Sequence, residues 1–511
     1  MKRSVFVGLL AVSAAGAAMV VGLGAAGLGL KVATAHAAEG PEACSALEAS
    51  GLFKDATFTT KLVAADPAKA MPAFCEATGT ISPVPNSKIG VVYRLPADWN
   101  GKLLGLGGGG WAGNVALFTA QEGLRNGYAT MQTDGGHTGP NVWDTSWASN
   151  PAAATDFAWR AMHLMTVTGK EVAARYYGHK QKKTYYQGCS TGGRQGLMEV
   201  QRYPADYDAV SAGAPVYNLL VQTSAIVRDQ TFSAPGAGLT EAQLKMVQEA
   251  ALGACDAKDG LKDGLIADPR KCAFDPKSLQ CKDGQSGEEC LSPAQVNALH
   301  VAYGGVVGKD GQRASWPLAK GGEEGWSRFL QTSSSGSDAT QGGGLGGAIG
   351  KLITGDDSFS VATFDASRDM SKIRNSDFAH QYEANDPKIA PFLKRGGKLL
   401  LWHGWSDAGP SPMGTIAYYD KVKAANPGGG SSTRLYLLPG VYHCGGGPGP
   451  DKLDLLGTID RWSTTGKGPA VMQAVKVNSK LSRPICPYPT VAAYKGHGDE
   501  SAPSSYVCKA G

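Results

Sequence analysis

The 511-residue chain carries no strong excess of charge of either sign: 49 Lys and Arg stand against 44 Asp and Glu, a formal +5. Nothing in that balance suggests nucleic acid or an anionic membrane as partner. Charged residues make up only 18% of the chain. Beyond the first 37 residues no apolar run approaches the length that spans a bilayer. Among ten cysteines and nine histidines there is no C-x-x-C pair and no histidine cluster, so nothing supports zinc ligation as the use of the cysteines. Internal repeats are absent as well, which sets aside repeat architectures.

What is present is a globular composition, 42% hydrophobic, with the many loops that 70 Gly and 28 Pro imply. The N-terminus pairs Lys2 and Arg3 with a long Ala/Gly/Val/Leu run and then Ala35-His36-Ala37, the pattern of a secretory signal peptide over residues 1–37. The rival reading is an uncleaved anchor, since residues 5–30 are long enough to span. Cleavage after Ala37 removes Lys2, Arg3 and Lys31 and no acid, taking the formal charge from +5 to +2. An even cysteine count behind such a leader implies disulfides and a secreted or periplasmic location. Local pairs suggest themselves: Cys44 with Cys75, Cys255 with Cys272, Cys281 with Cys290, and Cys486 with Cys508. Cys189 and Cys444 are left over.

Strand-like segments at 88–95, 102–106, 128–132, 183–187 and 207–212 alternate with helical periodicity at 155–177 and 193–203. The alternation resumes with strands at 398–403 and 434–438 and helices at 412–422 and 453–462. This implies an α/β domain with a mostly parallel central sheet. Residues 38–217 form its first part and 396–511 its second, with a disulfide-tied, β-rich tail. Residues 218–395 break the alternation and are expected to form an insertion over the sheet. Their glycine run at 333–350 contains a nominal G-x-G-x-x-G, but no strand leads into it, so a flexible loop is expected rather than a dinucleotide site.

The chemistry concentrates around Gly188-Cys189-Ser190-Thr191-Gly192. A G-x-S-x-G between a strand and a helix is the sharp turn that lifts a serine hydroxyl above a sheet edge. Such a hydroxyl needs a base, and the base an orienting carboxylate. Asp407 and His443 each follow a predicted strand, giving the order Ser190, Asp407, His443 that an α/β-hydrolase uses. His403 and His137 lose on position and are expected to be structural. A Cys189–Cys444 bridge would tie nucleophile to base; Cys189 as nucleophile is the rival, though a disulfide sulfur cannot serve. The oxyanion donors are expected at the backbone of Thr191 and within the glycines at 107–110, with Gly110 favoured. In the inserted segment, Asp256, Asp259 and Asp263, with the carbonyls of Leu261 and Leu265, suit a hard cation, against the alternative of a solvated acidic loop.

These residues resemble a known family. G-C-S-T-G-G-R at 188–194, Y-H-C-G-G-G at 442–447, W-N-G-K at 99–102, A-G-A-P at 212–215 and G-G-K-L-L-L-W-H-G-W-S-D at 396–407 are similar to the tannase and feruloyl esterase family, which also holds mono(2-hydroxyethyl) terephthalate hydrolase. The resemblance implies an α/β-hydrolase with a large inserted lid, a Cys189–Cys444 disulfide and a structural Ca2+ in the lid. It further implies Ser190, Asp407 and His443 as triad, with Asp256, Asp259, Leu261, Asp263 and Leu265 as calcium ligands. The implied substrates are small esters of aromatic acids such as gallate, ferulate or terephthalate, cleaved through an acyl-enzyme. Within the lid, Trp316, Trp326 and Phe329 could stack on an aromatic ring and Arg328 could meet a carboxylate. An inactive binder of phenolic polymers is the alternative from another class, and the complete triad counts against it.

Overall fold

The computed structural model describes residues 40–309, 311–329, 350, 352–356 and 358–511. The leader at 1–37 and nearly all of the glycine run at 333–350 lie outside the described residues. Nine strands form one sheet: β1 (Ala56–Val63), β2 (Phe74–Ile81), β3 (Ile89–Pro96), β4 (Lys102–Leu106), β5 (Ala129–Thr133), β6 (Lys183–Cys189), β7 (Ala209–Gly213), β10 (Lys398–Gly404) and β11 (Thr433–Leu438). Two short strands, β8 (Val306–Val307) and β9 (Arg313–Ser315), pair with each other apart from it. The sheet order is β1-β2-β3-β5-β4-β6-β7-β10-β11. Every pair from β5 to β11 is parallel, while β1, β2 and β3 run antiparallel at one edge.

Parallel strands covered on both faces must be apolar on both, and the sequences obey this. Four of the five residues of β4, all five of β7 and six of the seven of β10 are buried. Successive side chains then feed opposite layers. Tyr186, Val210 and Leu401 join the core beneath helices Ala161–Tyr177 and Thr191–Arg202, while Tyr185, Ala209 and Leu400 join the one beneath Leu117–Arg125 and Leu455–Thr465. This is the α/β domain with a mostly parallel central sheet expected from the alternation of elements. The edge strands β1 and β2 precede residue 88, where the first strand-like segment was expected. Only two of the eight side chains of β1 are buried, so its alternation is weak, and its register comes from pairing with β2.

Between β7 and β10 the described residues add no strand to the main sheet. They form helices that include Leu219–Phe232, Glu241–Cys255 and Pro293–Gly304, around a separate core containing Leu244, Leu299 and Trp326. Reciprocal capping boxes, Thr240 with Gln243 and Ser292 with Gln295, start two of these helices. The tail folds as two hairpins, β12 (Met472–Val475) with β13 (Ser482–Ile485), and β14 (Thr490–Tyr494) with β15 (Tyr506–Ala510). The cysteines pair as Cys44–Cys75, Cys189–Cys444, Cys255–Cys272, Cys281–Cys290 and Cys486–Cys508.

Candidate active site

Because β4, β6, β10 and β11 are parallel, the loops leaving their C-terminal ends emerge on one edge of the sheet. Those loops carry Gly107–Gly110, Ser190, Asp407 and His443 in turn. Ser190 sits between β6 and helix Thr191–Arg202 at φ 63°, ψ −123°. For a non-glycine residue that conformation costs on the order of 1–3 kcal/mol and persists only where the surroundings enforce it. Here the Ser190 N–H donates to the Gly213 carbonyl at 3.0 Å, and its own carbonyl accepts from Arg194 at 3.1 Å and Val216 at 3.2 Å. The flanking glycines have steric reasons. A Cβ on Gly188 would stand 2.7 Å from the Gly192 backbone, and one on Gly192 would stand 3.0 Å from the Gly108 carbonyl.

The glycine loop after β4 is locked to the same helix. Gly108 N donates to Gln195 Oε1 at 2.9 Å, and Gly192 N donates to the Gly108 carbonyl at 3.0 Å. Gly110 adopts φ 58°, and a Cβ there would meet the Val142 carbonyl at 2.4 Å, so both conformation and space demand glycine. The Thr191 amide lies in the first helical turn, where no intrahelical acceptor is available. Gly110 and Thr191 line one pocket with Ser190 and His443. Its apolar walls include Trp111, Trp143 and Phe329. Phe329 meets the His443 ring edge-on, with centroids 5.1 Å apart.

His443 Nδ1 lies 2.7 Å from Asp407 Oδ2, which leaves Nε2 as the imidazole atom with no carboxylate partner. Asp407 is fully buried. Burial pushes its carboxyl upward, but the His443 charge and the hydrogen bonds from His403 and His443 outweigh it and hold the group down at about 2. Its other oxygen, Oδ1, accepts from Gly409 N at 2.8 Å. Cys189 and Cys444, adjacent to Ser190 and His443, are disulfide-bonded with Cα atoms 5.9 Å apart. The bridge holds two loops 255 residues apart in sequence at one place. The arrangement can present a hydroxyl and an oriented base to a carbonyl carbon.

The remaining candidates separate cleanly. His137 Nε2 is bonded to the Trp111 carbonyl and its ring stacks on Trp147, a structural role as expected. Trp326 is 1% exposed, within the core of the segment between β7 and β10. Trp316 packs against Gly414, and the Arg328 guanidinium stands over the Tyr442 ring outside the pocket. Of these four aromatic or basic candidates, Phe329 alone lines the pocket. Sequence position undervalued His403. It is fully buried, and its Nε2 lies 3.0 Å from Asp407 Oδ2. The signal available was its place four residues before Asp407 on an otherwise apolar strand.

The acidic loop is built of oxygen donors. Asp256 accepts from the Asp263 and Gly264 amides at 3.2 and 2.8 Å, Asp259 from the Leu261 amide at 3.0 Å, and Asp263 from the Leu265 amide at 3.1 Å. Burial, reinforced by the charges of Asp263 and Asp256, pushes Asp259 up to about 6. Arg483 pairs with Asp263 at 2.6 Å and offsets part of the repulsion. Asp256 is buried and Asp259 and Asp263 are half-buried, an all-oxygen set of the donor type that a hard dication takes. Leu265 packs against Gly440, three residues before His443.

A family model, tannase and feruloyl esterase, matches residues 75–509. The chain is 32% identical to a mono(2-hydroxyethyl) terephthalate hydrolase of Piscinibacter sakaiensis, covering 92% of this chain and 89% of that protein. It is 30% identical to a probable feruloyl esterase B-1 of Aspergillus oryzae, covering 87% and 85%. Among solved structures, feruloyl esterase B from Aspergillus oryzae superposes with a TM-score of 0.82 at 28% identity, over 92% of this chain and 99% of that one. A tannin acyl hydrolase from Aspergillus niger shares the fold, with a TM-score of 0.69 at 20% identity over 92% and 94%. The strand order, the serine turn and these likenesses agree: the chain belongs to the tannase and feruloyl esterase family and is a carboxylic ester hydrolase of the α/β-hydrolase fold.

Proposed function

We propose that the protein is a secreted serine esterase that hydrolyses esters of aromatic carboxylic acids through an acyl-enzyme. The observation that carries this reading is a single pocket in which Ser190 and the Asp407-bound His443 face Trp111, Trp143 and Phe329. His443 Nε2 takes the Ser190 proton as the oxygen attacks the ester carbonyl. Asp407 holds the imidazole with Nδ1 protonated and stabilises the imidazolium that forms. The N–H groups of Thr191 and Gly110 receive the oxyanion. His443 then returns the proton to the departing alcohol. A water deprotonated by the same nitrogen releases the acid and regenerates Ser190.

The flat walls favour an aryl acyl group, for which ring–ring contacts add to buried area. The family's description and the relatives' names include tannase, feruloyl esterase and mono(2-hydroxyethyl) terephthalate hydrolase, so galloyl, feruloyl and terephthaloyl groups are the acyl groups to compare. Secretion is supported by the leader sequence and the five disulfides. Among the described residues no helix is long and apolar enough to cross a membrane. Asp256, Asp259 and Asp263, with the carbonyls of Leu261 and Leu265, would hold a structural Ca2+ that neutralises their repulsion. The test is a side-by-side assay of methyl ferulate, methyl gallate, mono(2-hydroxyethyl) terephthalate and an aliphatic ester of similar size. Aromatic esters are expected to be preferred, and Ser190→Ala to lose turnover on all of them with its fold intact. A preference for the aliphatic ester, or turnover retained by Ser190→Ala, would overturn the reading.

A further inference from the structure

Asp407 stands on the loop that follows β10, one residue past the turn at 405–406. It is followed by Ala408, Gly409, Pro410 and the N-cap Ser411 before helix Pro412–Ala425 begins. Such a loop would leave the carboxylate free to rotate unless something else fixed it. We propose that His403 is a positioning residue for the reaction: it holds Asp407 in the orientation that directs the His443 imidazole at Ser190. The inference rests on the triad reading given above.

The geometry assigns the proton. His403 Nε2 lies 3.0 Å from Asp407 Oδ2 and 3.0 Å from the Pro410 carbonyl oxygen. A carbonyl oxygen and an ionised carboxylate can only accept, so Nε2 carries the hydrogen and shares it between them. The other ring nitrogen, Nδ1, is closed by Thr415 Oγ1 at 2.8 Å. His403 therefore spans from the end of β10 across the loop to the following helix, at zero exposure. It binds the same carboxylate oxygen that accepts from His443 Nδ1 at 2.7 Å. With Gly409 N on Oδ1, three donors fix the carboxylate plane.

The loop is gripped a second time from the segment between β7 and β10. Arg228 donates to the Ala408 carbonyl at 2.7 Å and to the Gly409 carbonyl at 2.8 Å. The carbonyls of 408, 409 and 410 are thus each held by a buried side chain, and His403 is the one that also touches the carboxylate. The charged or titratable groups that bear on Asp407 are His443, His403 and Arg228.

The test is kinetic. His403→Leu fills the site without a donor, His403→Gln keeps an N–H near the Nε2 position, and Thr415→Val removes only the outer partner. On an aromatic ester, His403→Leu is expected to lower kcat by about tenfold to a hundredfold, the scale on which small misplacements of a reacting group act. KM is expected to stay within about twofold, and His403→Gln to recover most of the loss. Thr415→Val should show a smaller loss in the same parameter. Adding His403→Leu to Asp407→Ala should cost nothing further, because a residue acting through the carboxylate has no effect once the carboxylate is gone. Wild-type kcat in a folded His403→Leu protein would overturn the proposal, as would equal losses in the Leu and Gln variants or additive losses with Asp407→Ala. If His403→Leu does not fold, the Gln and Thr415→Val variants decide, and wild-type kcat in Thr415→Val together with a Gln variant as impaired as Asp407→Ala overturns it. Ser190→Ala runs beside them: turnover there refutes the triad itself, whereas an inactive Ser190→Ala with a normal His403→Leu refutes only the positioning role.

Discussion

Replacing Cys189 and Cys444 together by alanine removes a cross-link and leaves every other candidate catalytic side chain in place. The bridge joins positions 255 residues apart, whereas Cys281–Cys290 joins positions 9 apart. Chain-entropy arithmetic at 25 °C gives about 5.5 kcal/mol for closing the first loop and about 2.6 kcal/mol for the second, as upper estimates of their stabilisation. The two bridges differ more in what they hold. Cys281–Cys290 ties a surface loop, while Cys189–Cys444 fixes the residues next to Ser190 and His443. Thermal melts should therefore show the Cys189→Ala/Cys444→Ala protein less stable than the Cys281→Ala/Cys290→Ala protein. Initial rates on methyl ferulate, taken well below both melting transitions, should separate them further. The first is expected to lose about tenfold to a hundredfold in kcat/KM through lost registration of nucleophile and base; the second should stay within about twofold of wild type. A folded Cys189→Ala/Cys444→Ala enzyme with wild-type kcat/KM would refute the argument that the bridge sets the reactive geometry.

Calcium supplied at about a hundred times its dissociation constant should stabilise the fold by about 2.7 kcal/mol. Chelation should lower the melting temperature and, because Leu265 packs on Gly440, lower kcat as well; an unchanged melt after verified metal removal would count against the ion. Glu199 is buried against Asp206, and burial first, then the Asp206 charge, push its carboxyl well above the ordinary range. Its unfolded form releases a proton above about pH 4.5 that the folded form keeps, so stability falls as pH rises through that window. Glu199→Gln should then be at least as stable as wild type at pH 7, with an advantage that widens toward alkaline pH in calorimetric melts. Asp407 behaves oppositely: burial pushes it up, but the His443 and His403 interactions hold it at about 2, below the ordinary 3.8. Its contribution is present above about pH 4 and lost toward pH 2, so the melting-temperature gap between wild type and Asp407→Asn should narrow over that range. Gly188→Ala should abolish esterase activity and reduce soluble yield, since its methyl would stand 2.7 Å from the Gly192 backbone; an active, well-folded Gly188→Ala protein would show that the turn tolerates the bulk.

Much of the catalytic edge was legible because parallel strands write strong signals. β4, β10 and β11 contain short apolar runs and β6 a tyrosine pair, each leading into a glycine or proline loop, and the residues following them are the ones that gather at the pocket. The disulfides followed from local spacing, with the two leftover cysteines beside the two most reactive candidates. Legibility failed where the determinant was pairing rather than pattern. β1 and β2 lie at a half-solvated edge, so their alternation is diluted by exposed Thr and Lys. It failed again for His403, because a buried histidine and an idle one look alike until the Asp407 carboxylate is placed beside it. Phe329 could not be told from Trp326 or Trp316 by composition. Only the packing of the segment between β7 and β10 sends one ring into the pocket and the other two into cores and crevices.

The most direct test of the central claim is to trap the intermediate. The enzyme is reacted with a fluorophosphonate, or acid-quenched during turnover of an aromatic ester, and then digested and mapped by mass spectrometry. The account predicts a single covalent adduct on Ser190, formed at a rate that falls sharply in His443→Ala. An adduct on another residue, or undiminished hydrolysis by enzyme fully labelled at Ser190, would contradict it.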